Sequence, residues 1–188
     1  MTRTVHPIER ESYRILRDRI DLSHLPPLSR AVAERVIHAA ADLSFGTSLQ
    51  LDEDALQQGR EALQNGAPIY ADARMVAAGI TTRETIVPAP ISGGLPTRSA
   101  AAMRRAASEA PKNAVWVVGN APTALQQLIE TPPDDPALII GLPVGFVGAA
   151  EAKQALHASA LPSISNQGER GGSAVAVAAV NALLYFDR

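Results

Sequence analysis

Ala114-Val-Trp-Val-Val-Gly-Asn-Ala-Pro-Thr-Ala-Leu125 is the stretch that decides the fold. Five successive apolar residues, Ala114 to Val118, are too few for a buried helix and show no polar face, so they read as a strand covered on both sides. Gly119 opens a turn directly after it, and a helix follows to about Glu130. The same pattern returns twice. Leu138-Ile-Ile140 runs into Gly141-Leu-Pro-Val-Gly-Phe-Val-Gly148 and a helix from Ala149 to Ala158. Leu161 to Ser165 runs into Gly168-Glu-Arg-Gly-Gly-Ser173 and a closing helix from Ala174 to Leu184. Repeated strand, turn and helix imply right-handed crossovers and a parallel sheet with helices on both faces. The expected fold class is α/β: a single three-layer α/β/α domain over residues 1–188 with a mostly parallel, flavodoxin-like sheet. Pro132-Pro-Asp-Asp-Pro136 reads as a surface turn within it.

Upstream, Pro7 to Asp21 has helical spacing at Ile8, Ser12, Ile15, Leu16 and Arg19, with Pro7 at its start. Pro26-Pro27 breaks the chain, and a second helix is expected from about Ser29 as N-cap. A third spans Asp52 to Asn65, stopped by Asn65-Gly66. Ala67 to Ala71 reads as a buried strand and Asp72 to Gly79 as a short helix.

Composition narrows the function classes. The 188 residues are 46% hydrophobic but only 4% aromatic, so the core must be built from Ala, Val, Leu and Ile. A formal net charge of −2 gives no basic footprint for nucleic acid, and any anionic ligand must be held by local arginines. Absence of cysteine removes thiolate metal sites, disulfides and Cys nucleophiles. No run approaches the ~18 apolar residues of a membrane span and no apolar leader is visible, so the expected location is cytoplasmic.

In a sheet of this kind ligands collect at the carboxyl ends of the strands, where the three glycine turns lie. Each offers backbone N–H groups and a helix N-terminus to a carboxylate or phosphate. None matches G-x-G-x-x-G or G-x-x-x-x-G-K-[ST], which argues against a nucleotide-binding module. His38 stands apart, inside the Ala-rich run Ala31-Val-Ala-Glu-Arg-Val-Ile-His-Ala-Ala-Ala-Asp42. Imidazole exchanges protons near neutral pH, and an apolar helix face keeps competing water away. Taken alone, the residue reads first as a hydrogen-bonded core histidine, the more frequent case on an apolar helix face.

Several segments in order resemble one family: Ile8-Glu-Arg-Glu-Ser-Tyr-Arg-Ile15, Val36-Ile-His-Ala-Ala-Ala-Asp42, Asp72-Ala-Arg-Met-Val-Ala-Ala-Gly-Ile80, Thr97-Arg-Ser-Ala-Ala-Ala102, Gly119-Asn-Ala-Pro-Thr-Ala-Leu125, Gly141-Leu-Pro-Val-Gly-Phe-Val-Gly-Ala-Ala-Glu-Ala-Lys153 and Arg170-Gly-Gly-Ser173 to Asn181-Ala-Leu183. The chain thereby resembles the precorrin-8X methylmutases and their relatives acting on cobalt-precorrin-8. The resemblance implies an isomerase of cobalamin biosynthesis that moves a methyl group from C-11 to C-12 of a corrin-type macrocycle, giving hydrogenobyrinate or cobyrinate, with no metal or organic cofactor. It implies His38 as general acid, with Ser12 binding substrate or orienting His38 and Arg98 pairing with a substrate carboxylate. Arg74 and Arg170, with Arg14 and Lys153 behind them, are further cation candidates, while Gly119, Asn120 and Gly145 are expected to cradle carboxylates through the turns. His6, His24 and His157 are expected to be solvated or capping. A homodimer with its active site near the subunit interface is implied too, since one small subunit does not readily enclose so large a substrate. Metal-free and cobalt-containing substrates both remain open.

One departure is visible. The family has a longer segment between Gly79-Ile80 and Thr97-Arg98, whereas here Thr81 to Pro96 includes Pro88, Pro90, Gly93, Gly94 and Pro96 and reads as a loop or weak edge strand. A non-catalytic corrinoid carrier keeping the same pocket is the alternative, but a carrier needs the cradle and not the acid.

Overall fold

The alternation of Val115, Trp116, Val117 and Val118 between two separate hydrophobic cores establishes the layering. The structure is a computed structural model that describes residues 6–91 and 97–186. Its helices are α1 (Pro7–Arg19), α2 (Pro27–Ala40), α3 (Phe45–Ser48), α4 (Glu53–Gln64), α5 (Arg74–Gly79), α6 (Arg98–Glu109), α7 (Pro122–Glu130), α8 (Ala149–Ala158) and α9 (Ser173–Leu184). The strands are β1 (Leu49–Gln50), β2 (Ile69–Ala71), β3 (Thr85–Ile86), β4 (Val115–Val118), β5 (Leu138–Gly141) and β6 (Ser163–Asn166).

They form one sheet in the order β1-β6-β5-β4-β2-β3, parallel throughout except for the antiparallel pair β1–β6. Counted along the chain, the five parallel strands lie second, first, third, fourth, fifth, which is the flavodoxin-like order, and β2 and β4 flank its switch point. Val115, Val117, Leu138 and Ile140 face one core with α2, α4, α5 and α9, whereas Trp116, Val118 and Ile139 face the other with α6, α7 and α8. Period-2 alternation in fully buried strands produces this division. Helix α1 lies outside α2 and buries little besides Leu16, leaving a groove between α1, α2 and α9.

Local expectations fare unevenly. The three strand-turn-helix units stand where they were read, and α1 and α4 keep their limits within two residues. Ser29 is not an N-cap: α2 starts at Pro27, which a proline at the first helical position permits. Ser29 lies buried in the first turn, and its N–H (2.8 Å) and hydroxyl (2.7 Å) both donate to the Glu53 carboxylate, as does the N–H of Leu28 (2.9 Å). A side chain from α4 thus satisfies the donors at the start of α2. Asp72 is likewise outside its short helix, which begins at Arg74. The helix α6, with Ala100, Met103, Ala106 and Ala107 inward and Thr97 capping Ala100 N–H, went unread although its periodicity was present. Edge strand β3 fits the proline-rich segment, of which Gly93, Gly94 and Pro96 lie outside the described residues. Among the described residues no helix is long and apolar enough to cross a membrane.

Candidate active site

His38 lies on the last turn of α2, where the helix emerges from under α1 beside the N-terminal half of α9. On α2 the neighbours Val32, Ala33, Val36 and Ile37 face the core, which turns His38 and Arg35 to the seam. The seam opens into a cavity of about 590 Å³ lined from α1 by Ile8, Glu9, Ser12 and Tyr13, and from α9 by Ala174, Val177, Ala178 and Asn181.

Two contacts fix the imidazole. Ser12 Oγ lies 2.9 Å from His38 Nδ1, and the Tyr13 ring stacks on the imidazole with centroids 4.7 Å apart and planes 12° from parallel. Nε2 is left as the ring nitrogen available to a ligand. Arg17 of α1 holds this arrangement by gripping the buried Glu34 of α2 through both carboxylate oxygens (3.0 and 2.7 Å), and Arg30 adds a third bond at 3.1 Å. Burial pushes the Glu34 carboxyl up, but the two guanidinium groups outweigh it and hold it below the ordinary carboxylate range. Removing either helix's share of this pair would free α1 to shift, and Ser12 and Tyr13 with it. Asn181 donates to the Gly79 carbonyl at 3.0 Å while its own Oδ1 is buried without a partner among the described residues.

The glycine turns are arranged differently from expectation. The N–H groups of Gly119, Asn120 and Ala121 all donate to the Asp72 carboxylate, at 3.0, 2.9 and 2.6 Å. A protein carboxylate from the end of β2 therefore occupies the anion nest at the switch point. Burial pushes the Asp72 carboxyl up, opposed by these three bonds. The Gly145 N–H donates to the Glu169 carbonyl at 3.1 Å, so this turn also has its donor committed. Gly171 packs so closely on the Pro143 carbonyl that a Cβ would approach it to 2.6 Å, which keeps the last two turns in contact.

The cation candidates also separate. Arg170 donates to Asp42 and Ser44, clamping the β6–α9 loop to the end of α2 instead of reaching the cavity. Lys153 is fully buried beneath that loop, with Nζ 2.6 Å from the Arg170 carbonyl and 3.1 Å from Asn166 Oδ1. Arg14 is exposed and paired with Glu11 and Asp18. Arg74 and Arg98 are exposed first residues of α5 and α6, away from the His38 cavity. His6 caps α1 by accepting the Ile8 N–H at 3.2 Å, and His24 and His157 are exposed. Sequence reasoning singled out Ser12 and His38, which the structure brings together at this cavity, but not Tyr13 and Arg35, which line it too. Helical spacing gave a signal for Arg35, which precedes His38 by one turn, whereas Tyr13 merely adjoins Ser12 in the chain. Among the described residues no cluster of three or more His, Asp or Glu is placed to hold a metal.

Comparison with known proteins brings these observations together. Residues 7–186 match the family described as precorrin-8X methylmutase. The chain is 40% identical to the cobalt-precorrin-8 methylmutase of Salmonella typhimurium, covering 96% of this chain and 95% of that one. It is 42% identical to the precorrin-8X methylmutase of Pseudomonas aeruginosa, covering 94% and 93%. A solved structure of precorrin-8x methyl mutase from Thermus thermophilus superposes with a TM-score of 0.83 at 36% identity, covering 95% and 96% of the two chains. With fold, sequence and length in agreement, the chain belongs to the precorrin-8X methylmutase family.

Proposed function

We propose that His38 is the proton donor for the methyl shift and that Ser12 and Tyr13 hold it in place. Membership of the family makes the chain an isomerase of cobalamin biosynthesis, a precorrin-8X or cobalt-precorrin-8 methylmutase. In the reaction the C-11–methyl bond breaks and the C-12–methyl bond forms with no net gain or loss of protons. Protonating the conjugated macrocycle lowers the barrier, and conjugation is restored when the proton leaves. The supporting observation is the 2.9 Å Ser12–His38 contact at the wall of a cavity. In the doubly protonated ring Nδ1–H donates to Ser12 Oγ and Nε2–H is delivered to the substrate. The apolar side chains of Ile8, Ala174, Val177 and Ala178 line the same cavity.

Arg74 and Arg98, away from the His38 cavity of their own subunit, contact the substrate only where a second copy brings its carboxyl-end rim to that cavity. Each stands at the first position of a helix, where a cation opposes the positive end of the helix dipole. That placement costs about 0.3–1 kcal/mol at a surface, so stability does not account for it. Two copies assemble so that the macrocycle is enclosed between them. Phe146 and Val147 on the β5–α8 loop, 96% and 87% exposed, supply apolar surface for that contact. The assembly works in the cytoplasm.

The test is anaerobic incubation with precorrin-8X, following the visible spectrum for the corrin product, with His38→Ala in parallel. Turnover by the parent and binding without turnover by the variant is the expected outcome. Turnover by His38→Ala at the parental rate removes the acid role. Binding without conversion by the parent, repeated with cobalt-precorrin-8, identifies the chain as a carrier.

A further inference from the structure

His38 stands in the last turn of α2, the part of a helix whose carbonyls lack intrahelical partners and which frays first. Ser12 and Tyr13 grip the imidazole, so they act on the ring and not on the backbone that carries it. Ala41, just past the helix, takes the left-handed conformation with φ 50° and ψ 34°. That conformation is unfavourable for a residue with a Cβ and persists where its surroundings enforce it. The enforcing contacts follow at once. The Asp42 carboxylate accepts the Ser44 N–H at 2.9 Å and the Arg170 guanidinium, which donates to the Ser44 hydroxyl as well.

Arg170 reaches out from a fixed base. Its carbonyl accepts from Lys153 Nζ at 2.6 Å and from Asn166 Nδ2 at 2.9 Å, and both of these side chains are fully buried. On either side of it, the Glu169 carbonyl is bonded to the Gly145 N–H at 3.1 Å and the Gly172 N–H to the Leu142 carbonyl at 2.8 Å. The Arg170 guanidinium itself is largely exposed, and an exposed ion pair adds little stability, while burying the lysine that anchors it costs some. Stability therefore does not account for the arrangement, but its placement does. Asp42 lies four residues beyond His38, and Arg170 four residues before Ala174. His38 and Ala174 line one cavity from α2 and from α9, so the pair ties its two walls together.

We propose that Arg170 and Asp42 are a positioning pair for His38, holding the end of α2 against the start of α9 so that the imidazole keeps its aim into the cavity. The assignment rests on His38 as the proton donor. Neither member touches the substrate, so its contribution falls on the chemical step and not on binding.

The experiment measures kcat, KM and Tm for the parent, Arg170→Gln, Asp42→Ala, the double variant and Arg170→Lys, with whichever of precorrin-8X and cobalt-precorrin-8 the parent converts. His38→Ala runs alongside, and Lys112→Gln, which breaks the exposed Lys112–Asp134 pair elsewhere on the surface, serves as control. Both single variants should lower kcat roughly 5- to 20-fold, less than the ~100-fold that a 1 Å misplacement costs, with KM within about twofold. Their Tm should stay within about 3 °C of the parent, as for the control. The double variant should be no slower than the slower single one, because the two residues act through one contact. Arg170→Lys, which keeps a charged donor for Asp42, should regain most of the rate. A parental kcat in Asp42→Ala overturns the proposal, as does a double variant whose loss is the product of the single losses. A rise in KM confined to the Arg170 variants makes the guanidinium a substrate contact and also overturns it. Loss of kcat together with a Tm lowered by more than about 5 °C in both single variants makes the pair structural only. Turnover by His38→Ala at the parental rate, or a parent that converts neither macrocycle, overturns the acid reading and the proposal together. Loss of turnover in His38→Ala alone leaves the acid reading intact and removes the pair.

Discussion

Lys153 offers a prediction whose magnitude follows from its surroundings. The side chain is fully buried under the β6–α9 loop, and burial pushes its ammonium from 10.5 down to about 8, with Glu169 opposing. A neutral amine keeps two N–H donors, matching the two acceptors present, Arg170 carbonyl and Asn166 Oδ1. The sign of the linkage is fixed. Below pH 8 the lysine is charged in both the folded and the unfolded chain, and the fold bears the desolvation penalty. Between about 8 and 10.5 the folded chain sheds its proton while the unfolded chain keeps it, so stability rises with pH. Full relief amounts to on the order of 3 kcal/mol.

The assay is urea unfolding of the parent and Lys153→Met at intervals from pH 7.5 to 10.5, followed by the fluorescence of the single tryptophan, Trp116, which is fully buried. Only one other lysine, Lys112, is present and it remains in both proteins, as do the three tyrosines, so their titration cancels in the difference. The stability of the parent relative to Lys153→Met is expected to climb across this window by about 2–3 kcal/mol. A difference that stays flat with pH would refute the reasoning, because Lys153 would then carry its charge in the fold as readily as in water.

Ser12→Ala leaves His38 Nδ1 without its 2.9 Å partner, and kcat is expected to fall about 5- to 10-fold with KM within about twofold. Ser12→Thr should restore most of the rate, and unchanged kcat in Ser12→Ala removes the positioning role. In Asp72→Asn at least one of the three N–H groups of the β4–α7 turn loses its acceptor whichever way the amide is turned. Stability should drop by about 1–3 kcal/mol, seen as a fall in Tm of roughly 2–10 °C. An unshifted melt would mean that water replaces the carboxylate without penalty.

The sequence by itself determined what depends on neighbours along the chain. Apolar runs such as Ala114–Val118 followed at once by glycine and a helical period specify a parallel strand and its crossover, because strand and helix periods are local properties. His38 is legible as an imidazole on an apolar helix, whereas Ser12 is legible only through the family resemblance, which joins the two residues that lie 2.9 Å apart in the fold. Tertiary structure alone decided which donors and cations are free. Nothing near Gly119 indicates that Asp72, 47 residues earlier, fills its N–H nest, and nothing near Ser29 indicates that Glu53 caps α2. The same holds for arginines: Arg170 looked available and is clamped to Asp42, while Arg35 looked ordinary and faces the cavity without a carboxylate. Charge and hydrogen-bonding capacity are written in the residue, but their availability depends on what distant segments bring within about 3 Å, and only packing fixes that.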